Sequence, residues 1–405
     1  MGTADTGGVN FGVDDESELV LENFEAFLDR EVEPIVEGLG DLYTNPRKGH
    51  APSGRWSDEL LEAREEIRRR SAEAGFYAMN LPEEVGGGGV SPVTWYRAKK
   101  RLAARGVALE RYALAGPEGP KPLLAQAEGD QIETYLDPCI RGETSTAFAQ
   151  TEPGAGSDSP AIETTARRDG DEWIIDGRKQ WITNAPYADF VQLFARTTPQ
   201  EEAGRYGGIT CFLVERDEYE VGAFNNAVGA EGMQAELVFD GVRIPDDRVL
   251  GTEDGAFSDA MAFLSLGRLE LGAEAVGAAE FLLDRAVDYV TEREAFGRPI
   301  GKFQGVSHQL ARGRAKTYAA DAAGLQLAWR MARDEPAIED ASILKWFATT
   351  AYWEVADAAV QVHGAGGLAE ENPFVDHLHQ ARLLRIVEGT DEIQLNTIAT
   401  RMGID

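Results

Sequence analysis

Glu163-Thr-Thr-Ala-Arg-Arg-Asp-Gly-Asp-Glu-Trp-Ile-Ile-Asp-Gly-Arg-Lys-Gln-Trp-Ile-Thr183 alternates short strand-forming runs with turn dipeptides. The runs Glu163 to Arg168, Trp173 to Ile175 and Lys179 to Thr183 are parted by Asp169-Gly170 and Asp176-Gly177. Asp-Gly readily takes the positive φ angles of a two-residue hairpin, so two such pairs this close together predict antiparallel hairpins. Phe190 to Ala195, Ile209 to Val214 and Glu236 to Val242 carry the β texture from Ile162 toward Val249, and Pro245 closes it.

On either side of this block the period lengthens to that of a helix. Upstream, Leu19, Phe24, Phe27, Leu28, Val32 and Ile35 recur at spacings near three and four, with Pro34 interrupting late. Asp58 to Ala74 reads as a charged amphipathic helix, and another helix-like stretch runs around Trp95 to Arg105. Tyr43 to Trp56, with Pro46, Gly49, Pro52 and Gly54, reads as a loop, as does Gly86 to Gly89. Downstream, from Ala256, Leu264, Leu271, Ala275, Ala278, Ala279 and Leu282 keep one face apolar, as do Ile343, Trp346, Phe347, Tyr352 and Val355. The pattern predicts an α+β multidomain chain: helical over 1–145, β over 146–253, helical over 254–405.

A chain of 405 residues is ample for two or three domains, and 43 % hydrophobic with 27 % charged residues is ordinary globular composition. The charge balance is not ordinary. Lys plus Arg is 39 against 70 for Asp plus Glu, a formal net charge of −31, which repels phosphate backbones and argues against nucleic-acid binding. Eight of the basic residues are Lys and 31 are Arg, a lysine-poor acidic composition that suits a halophilic protein whose self-repulsion is screened by salt. Cys139 and Cys211 lie 72 positions apart without a CxxC pair, so neither a disulfide framework nor a zinc site is expected. No charge-free run is longer than Ala358 to Ala369, which is too short to span a membrane, and the start of the chain lacks the features of a signal peptide. Met1-Gly2 with Thr6 fits a myristoylation pattern only formally. A cytoplasmic protein is expected.

GxGxxG, P-loop and HExxH strings are absent, and His377 with His379 share a side only in an extended segment and lack a third ligand, so no metal site is expected. Thr151-Glu-Pro-Gly-Ala-Gly-Ser-Asp158 joins the helical and β parts. Its glycines suit either a linker or close backbone approach to a ligand. In Gly177-Arg-Lys-Gln-Trp-Ile-Thr-Asn184, a Trp at a strand end with a Thr two positions on suits core packing or an aromatic cofactor.

Together with Arg293-Glu-Ala-Phe-Gly-Arg-Pro-Ile-Gly-Lys-Phe-Gln304 and Glu388-Gly-Thr-Asp-Glu-Ile-Gln394, these blocks make the chain resemble the acyl-CoA dehydrogenases over nearly its whole length. The resemblance implies an N-terminal helical domain, a middle antiparallel β-barrel domain and a C-terminal four-helix bundle. It implies FAD as cofactor, an acyl-CoA as substrate, an electron-transfer flavoprotein as partner, and a homotetramer built as a dimer of dimers. By the same resemblance, Phe148, Gln150, Thr151, Trp181 and Thr183 line the flavin, and Ser157 touches flavin or substrate. Arg293, Phe296 and Gln304 reach the FAD of a neighbouring subunit, and Gln361, Gly364, Ala365, Thr390 and Glu392 complete the cofactor site. Arg268 and Gly389 are expected at the substrate.

The resemblance makes Glu388 the base that removes the α-proton of the thioester. Leu383, Leu384, Ile386 and Val387 precede it, and a carboxylate in apolar surroundings has a raised pKa. Some members carry the base instead at the position of Gly267, which excludes that variant here, while Glu270 on the same helix is a competing carboxylate. Two departures from the family pattern are His379-Gln380 before Ala381-Arg382, and Gly364-Ala365-Gly366-Gly367 after Gln361. A related flavin oxidase or monooxygenase, and a non-catalytic DNA-binding relative, are the rival readings. The charge makes one expectation testable: the melting temperature should rise between dilute buffer and about 1 M KCl, where the Debye length falls to about 3 Å. Equal values would remove the halophilic reading alone.

Overall fold

A computed structural model describes residues 14–404 apart from 41 and 43–48. The formal myristoylation pattern and much of the Tyr43 to Trp56 loop lie outside the described residues. Helix α1 (Asp15–Phe27) starts where the Asp14 side chain accepts the Ser17 N–H at 2.7 Å, and it buries Leu21, Phe24 and Phe27. Pro34 does not end the helical path. A π turn at Leu28–Val32 resets the register, and Pro34 falls in the first turn of α2 (Glu33–Gly38), where its missing N–H is not needed. Ser57 caps α3 (Asp58–Glu73) and Ser91 caps α4 (Pro92–Ala104).

The middle of the chain forms one eight-stranded sheet in the order β6-β7-β3-β2-β4-β5-β8, with β1 added on β4. The strands are β1 (Thr146–Ala149), β2 (Thr165–Asp169), β3 (Glu172–Thr183), β4 (Phe190–Arg196), β5 (Ile209–Glu215), β6 (Glu220–Phe224), β7 (Gln234–Pro245) and β8 (Val249–Leu250). The ladders are antiparallel except where β1 and one residue of β2 meet β4 in parallel. Asp169-Gly170 makes the expected hairpin between β2 and β3. Asp176-Gly177 does not: β3 runs straight through it, with a register shift against β7 between Ile175 and Gly177. The reason is steric. A Cβ on Gly177 would lie 2.4 Å from Thr164 Oγ1, so this glycine allows close approach within the sheet instead of turning the chain.

Beyond the sheet, α5 (Ala256–Glu292), α6 (Gln304–Met331), α7 (Ile338–His363) and α8 (Phe374–Leu384) pack as a bundle, with α9 (Asp391–Arg401) laid against α7. Of the residues expected on the apolar face of α7, Tyr352 and Val355 are buried in the core with Leu344 and Ala348, whereas Ile343 is exposed. Helix α4 shares this core through Val93 and Tyr96. Tyr96 donates to Asp321 at 3.0 Å and Lys100 pairs with the same carboxylate at 2.7 Å, so the N-terminal helices are also tied to the bundle by polar contacts.

The loop Thr151 to Asp158 is fixed to the sheet from below by one buried ion pair. Lys179 Nζ, on β3, lies 2.7 Å from Glu152 Oε1 and also donates to the Gln150 carbonyl at 3.1 Å. Glu152 in turn accepts the backbone N–H groups of Glu163 and Thr164, at 2.6 and 2.9 Å. Burial pushes the Lys179 ammonium down to about 8 despite that carboxylate. Removing one partner of such a pair strands a charge, so Lys179→Met should cost about 3–5 kcal/mol in urea denaturation. Adding Glu152→Gln should recover part of that loss; an additive further loss would show that the pair is not what holds the loop.

Candidate active site

The stretch between α8 and α9 is a short turn in which Glu388 has φ +55° and Gly389 φ +91°. A glutamate in the left-handed region is strained by roughly 1 kcal/mol or more, and persists only where its surroundings dictate the conformation. They do so here. Gln394, fully buried, donates its amide to the carbonyls of Glu388 and Gly389 at 3.0 and 2.9 Å. Lys345, fully buried on α7, donates to the Gly389 carbonyl at 2.7 Å. Arg385 pairs with Asp391 at 2.6 Å across the turn, and the Thr390 hydroxyl caps α9 by accepting the Ile393 N–H.

The turn aims the Glu388 side chain at α5. A Cβ placed on Gly267 would lie 3.2 Å from Glu388 Oε2 and 3.3 Å from its Cδ, so glycine leaves the room this carboxylate occupies. Glu388 keeps solvent exposure yet is closely surrounded by protein, and desolvation raises its pKa. Lys121, Arg268 and Lys345 oppose that shift, and Glu270 reinforces it. Glu270 has a different environment. Lys121 contacts it at 2.5 Å and the Trp95 indole N–H at 3.0 Å, and although burial acts to raise its pKa, Lys121 and Lys99 hold it below the usual value. Arg268, expected at the substrate, is 4 % exposed, donates to Ser342 Oγ at 3.0 Å and lies near enough to Glu388 to act on its charge. Burial lowers its pKa against the pull of Glu388.

The residues expected around a flavin fall into two constellations. In the first, β1 packs against β3 and presents Phe148, 40 % exposed, with its ring 4.7 Å from that of Phe194. Trp181, 48 % exposed, bulges out of β3 at φ +62° while its backbone N–H donates to Asn225 Oδ1. Gln150 Nε2 is buried without a partner among the described residues, the Thr151 carbonyl accepts the Gln180 N–H at 2.9 Å, and Thr183 Oγ1 accepts from Gln234. Two exposed aromatic faces beside an unsatisfied amide donor fit a flat, acceptor-rich ring. Ser157 lies exposed in the same loop system.

In the second constellation, a groove of about 770 Å³ on the helical bundle is lined by Arg293, Gln361, Gly364 and Ala365, with Tyr289, His363 and Phe374. Its edge is a hairpin, Glu294–Ala295 against Arg298–Pro299, whose tip places Phe296 at φ +53° and 95 % exposed. Gln304 opens α6 and is exposed, as is Glu392 on the first turn of α9. His377 and His379 lie on a helix and point to different sides: His377 is buried against the Tyr352 hydroxyl at 2.6 Å. No group of residues suited to hold a metal occurs among the described residues, and no helix among them is long and apolar enough to cross a membrane. Sequence reasoning missed Lys345 and Lys121 as neighbours of Glu388; the one available signal was their rarity in a lysine-poor chain.

A helical–β–helical chain with a desolvated carboxylate packed against its helical bundle and aromatic faces on its β layer has the build of a flavin-dependent oxidoreductase. Sequence profiles agree: acyl-CoA dehydrogenase N-terminal, middle and C-terminal domains match residues 14–143, 147–242 and 255–403. A 3-(aryl)acrylate reductase of Clostridium sporogenes is 33 % identical over 96 % of this chain and 98 % of its own. Subunit CarC of the caffeyl-CoA reductase-Etf complex of Acetobacterium woodii is 32 % identical over 84 % and 91 %. The butyryl-CoA dehydrogenase structure of Megasphaera elsdenii superposes with a TM-score of 0.82 at 28 % identity, covering 97 % of this chain and all of that one. The chain belongs to the acyl-CoA dehydrogenase family, FAD-dependent oxidoreductases that act on the CH–CH bond of acyl-CoA thioesters.

The environment of Glu388 sets a pH dependence. Its folded pKa lies above the unfolded value of 4.5, so stability present below that value is lost as pH rises through the folded pKa. Glu388→Gln should therefore melt higher than the wild type at pH 7–8, and the gain should vanish near pH 4. A variant that melts lower at neutral pH would show that the carboxylate stabilises the fold.

Proposed function

We propose that the protein removes two hydrogens from an acyl-CoA thioester to give a trans-2-enoyl-CoA, with Glu388 as the base. The observation that carries this is the Glu388 carboxylate, held against Gly267 by a strained, over-determined turn. Bound FAD would supply the acceptor for the β-hydrogen as hydride. Phe148, Gln150, Thr151, Trp181 and Thr183 hold its ring system, and Ser157 lies toward the flavin or the pantetheine arm. Glu388 takes the α-proton on its oxygen, which desolvation has made more basic than a surface carboxylate. The backbone amide of Glu388 polarises the thioester oxygen, with Gly389 beside it at the substrate. Glu270, engaged by Lys121 and Trp95, holds the cleft wall instead of moving a proton.

Arg293, Phe296, Gln304, Gln361, Gly364 and Ala365 form a half-site for the cofactor of a neighbouring subunit, in a dimer of dimers, while Thr390 and Glu392 serve the chain's own. The support is that the groove and the exposed Phe296 lie on the helical bundle while the aromatic faces lie on the β layer. Electrons pass on to an electron-transfer flavoprotein, a reading favoured by likeness to a subunit of an Etf complex. The proposed setting is the cytoplasm, in fatty-acid β-oxidation, with domains divided near 145 and 253.

Anaerobic rapid mixing with acyl-CoA tests the base. Glu388→Gln should keep its yellow colour and lose flavin bleaching by at least about 10²-fold, whereas Glu270→Gln should retain it. Bleaching in the first and none in the second would reverse the assignment, and peroxide release without an acceptor protein would make the enzyme an oxidase. Arg293→Ala should lower FAD retention and assembly together, read by absorbance and sedimentation; a monomer with full FAD would break the link.

A further inference from the structure

Two arginines stand on the face of helix α3 that the rest of its pattern makes apolar. The inward stripe, at helical spacing, is Leu60, Ala63, Arg64, Ile67, Arg68 and Ser71, and all six are buried. Arg64 is 4 % exposed and Arg68 3 %. They lie one turn apart, about 6 Å along the axis, so each sets a like charge beside the other.

Neither is paired. The chain holds 70 acidic residues, yet among the described residues no carboxylate oxygen lies within 4 Å of either guanidinium. Arg64 donates once, from Nη1 to Asn184 Oδ1 at 2.9 Å, and its guanidinium carbon lies 5.5 and 5.2 Å from the ring centres of Tyr112 and Tyr187. Arg64 Nε, Arg68 Nε and Arg68 Nη1 are buried donors without an acceptor. The Tyr77 hydroxyl is fully buried and also lacks a partner, and both arginines lie near enough to act on its charge. Glu118 acts on Tyr77 too, but it accepts the Gly116 N–H at 3.3 Å, and its charge is shared with Lys99, Lys121 and Arg111.

The imbalance is therefore one of donors and of positive charge. A buried cation left alone is costly, and a water molecule could accept its hydrogen bonds without offsetting its charge. A small anion does both. We propose that α3 and the β layer enclose a binding site for a monovalent inorganic anion, chloride, held by Arg68 with Arg64 and Tyr77. Few donors in so closed a place suit one compact ion better than a tetrahedral oxyanion with four oxygens to satisfy. The site has a structural task. Arg64 holds Asn184, whose amide donates to the Thr146 carbonyl at 2.8 Å, at the start of the strand that presents Phe148. The ion braces the N-terminal helices against the β layer, and it makes part of the salt response depend on which anion is present, apart from screening of surface carboxylates.

Crystals of the holoprotein grown in potassium bromide and measured at the bromine absorption edge test this directly. An anomalous peak should lie beside Arg68 and Tyr77. Peaks confined to the surface would mean an adventitious ion only and overturn the site. Thermal melts of the wild type and Arg68→Met, at equal ionic strength in potassium chloride and in potassium glutamate, supply a second reading, because glutamate is too large to enter. In glutamate the variant should melt above the wild type, since it removes an uncompensated charge, and in chloride it should lose about 2 °C or more of that advantage. A difference between the two proteins that is the same in both salts overturns the proposal. The bromide measurement uses the unaltered chain, so it decides the matter even where Arg68→Met fails to fold.

Discussion

A single left-handed glutamate governs this molecule's chemistry. Glu388 cannot adopt φ +55° without help, and the help comes from three directions: Gln394 from α9, Lys345 from α7 and the Arg385–Asp391 pair across the turn. Gln394 and Lys345 hold backbone carbonyls, the ion pair clamps the two ends of the turn, and the carboxylate is left free to reach α5. The arrangement separates strain from reactivity: the turn stores the strain and the cleft raises the basicity. Lys345 has a cost of its own, since burial pushes its ammonium down to about 8, and among the described residues the Gly389 carbonyl is its one hydrogen-bond acceptor.

The β layer applies the same logic to a loop. Thr151 to Asp158 is rich in small residues and would be mobile if unsupported, but the Lys179–Glu152 pair and two backbone N–H groups fasten its start to the sheet. Because the sheet beneath is rigid, Phe148 and Trp181 can be left exposed as flat faces without collapsing into the core. The bulge that exposes Trp181 is part of the register shift between Lys179 and Ile182, so the same strand anchors the loop and presents the ring.

Charge is distributed with comparable economy. A chain of net charge −31 gives four of its eight lysines interior tasks: Lys179 under the loop, Lys345 under the turn, Lys121 against Glu270, and Lys99 beside Trp95. Arginines hold most of the surface ion pairs, as with Arg101 to Glu18 and Glu25, and Arg243 to Asp169 and Glu172. Such exposed pairs each contribute little to stability.

What the sequence determined by itself was whatever depends on near neighbours. Helical and β periods, the Asp169-Gly170 hairpin and the glutamate in an apolar run are all written within a few residues, and all were legible. What needed tertiary structure were the partners brought from afar. Asp176-Gly177 has the composition of a turn, and only the approach of Thr164 makes it a bulge. The short strands β1 and β6 are made by pairing with β4 and β7, not by their own propensity. Arg268 has the sequence of a ligand and is buried against Ser342, and His377 and His379 are parted because the segment is helical. Gly267, Lys345 and Lys121 meet Glu388 from positions tens to hundreds of residues away. No local pattern encodes that meeting, because it is the packing of α5, α7 and the α8–α9 turn that decides which charges share a cleft, and so how strongly its water is excluded.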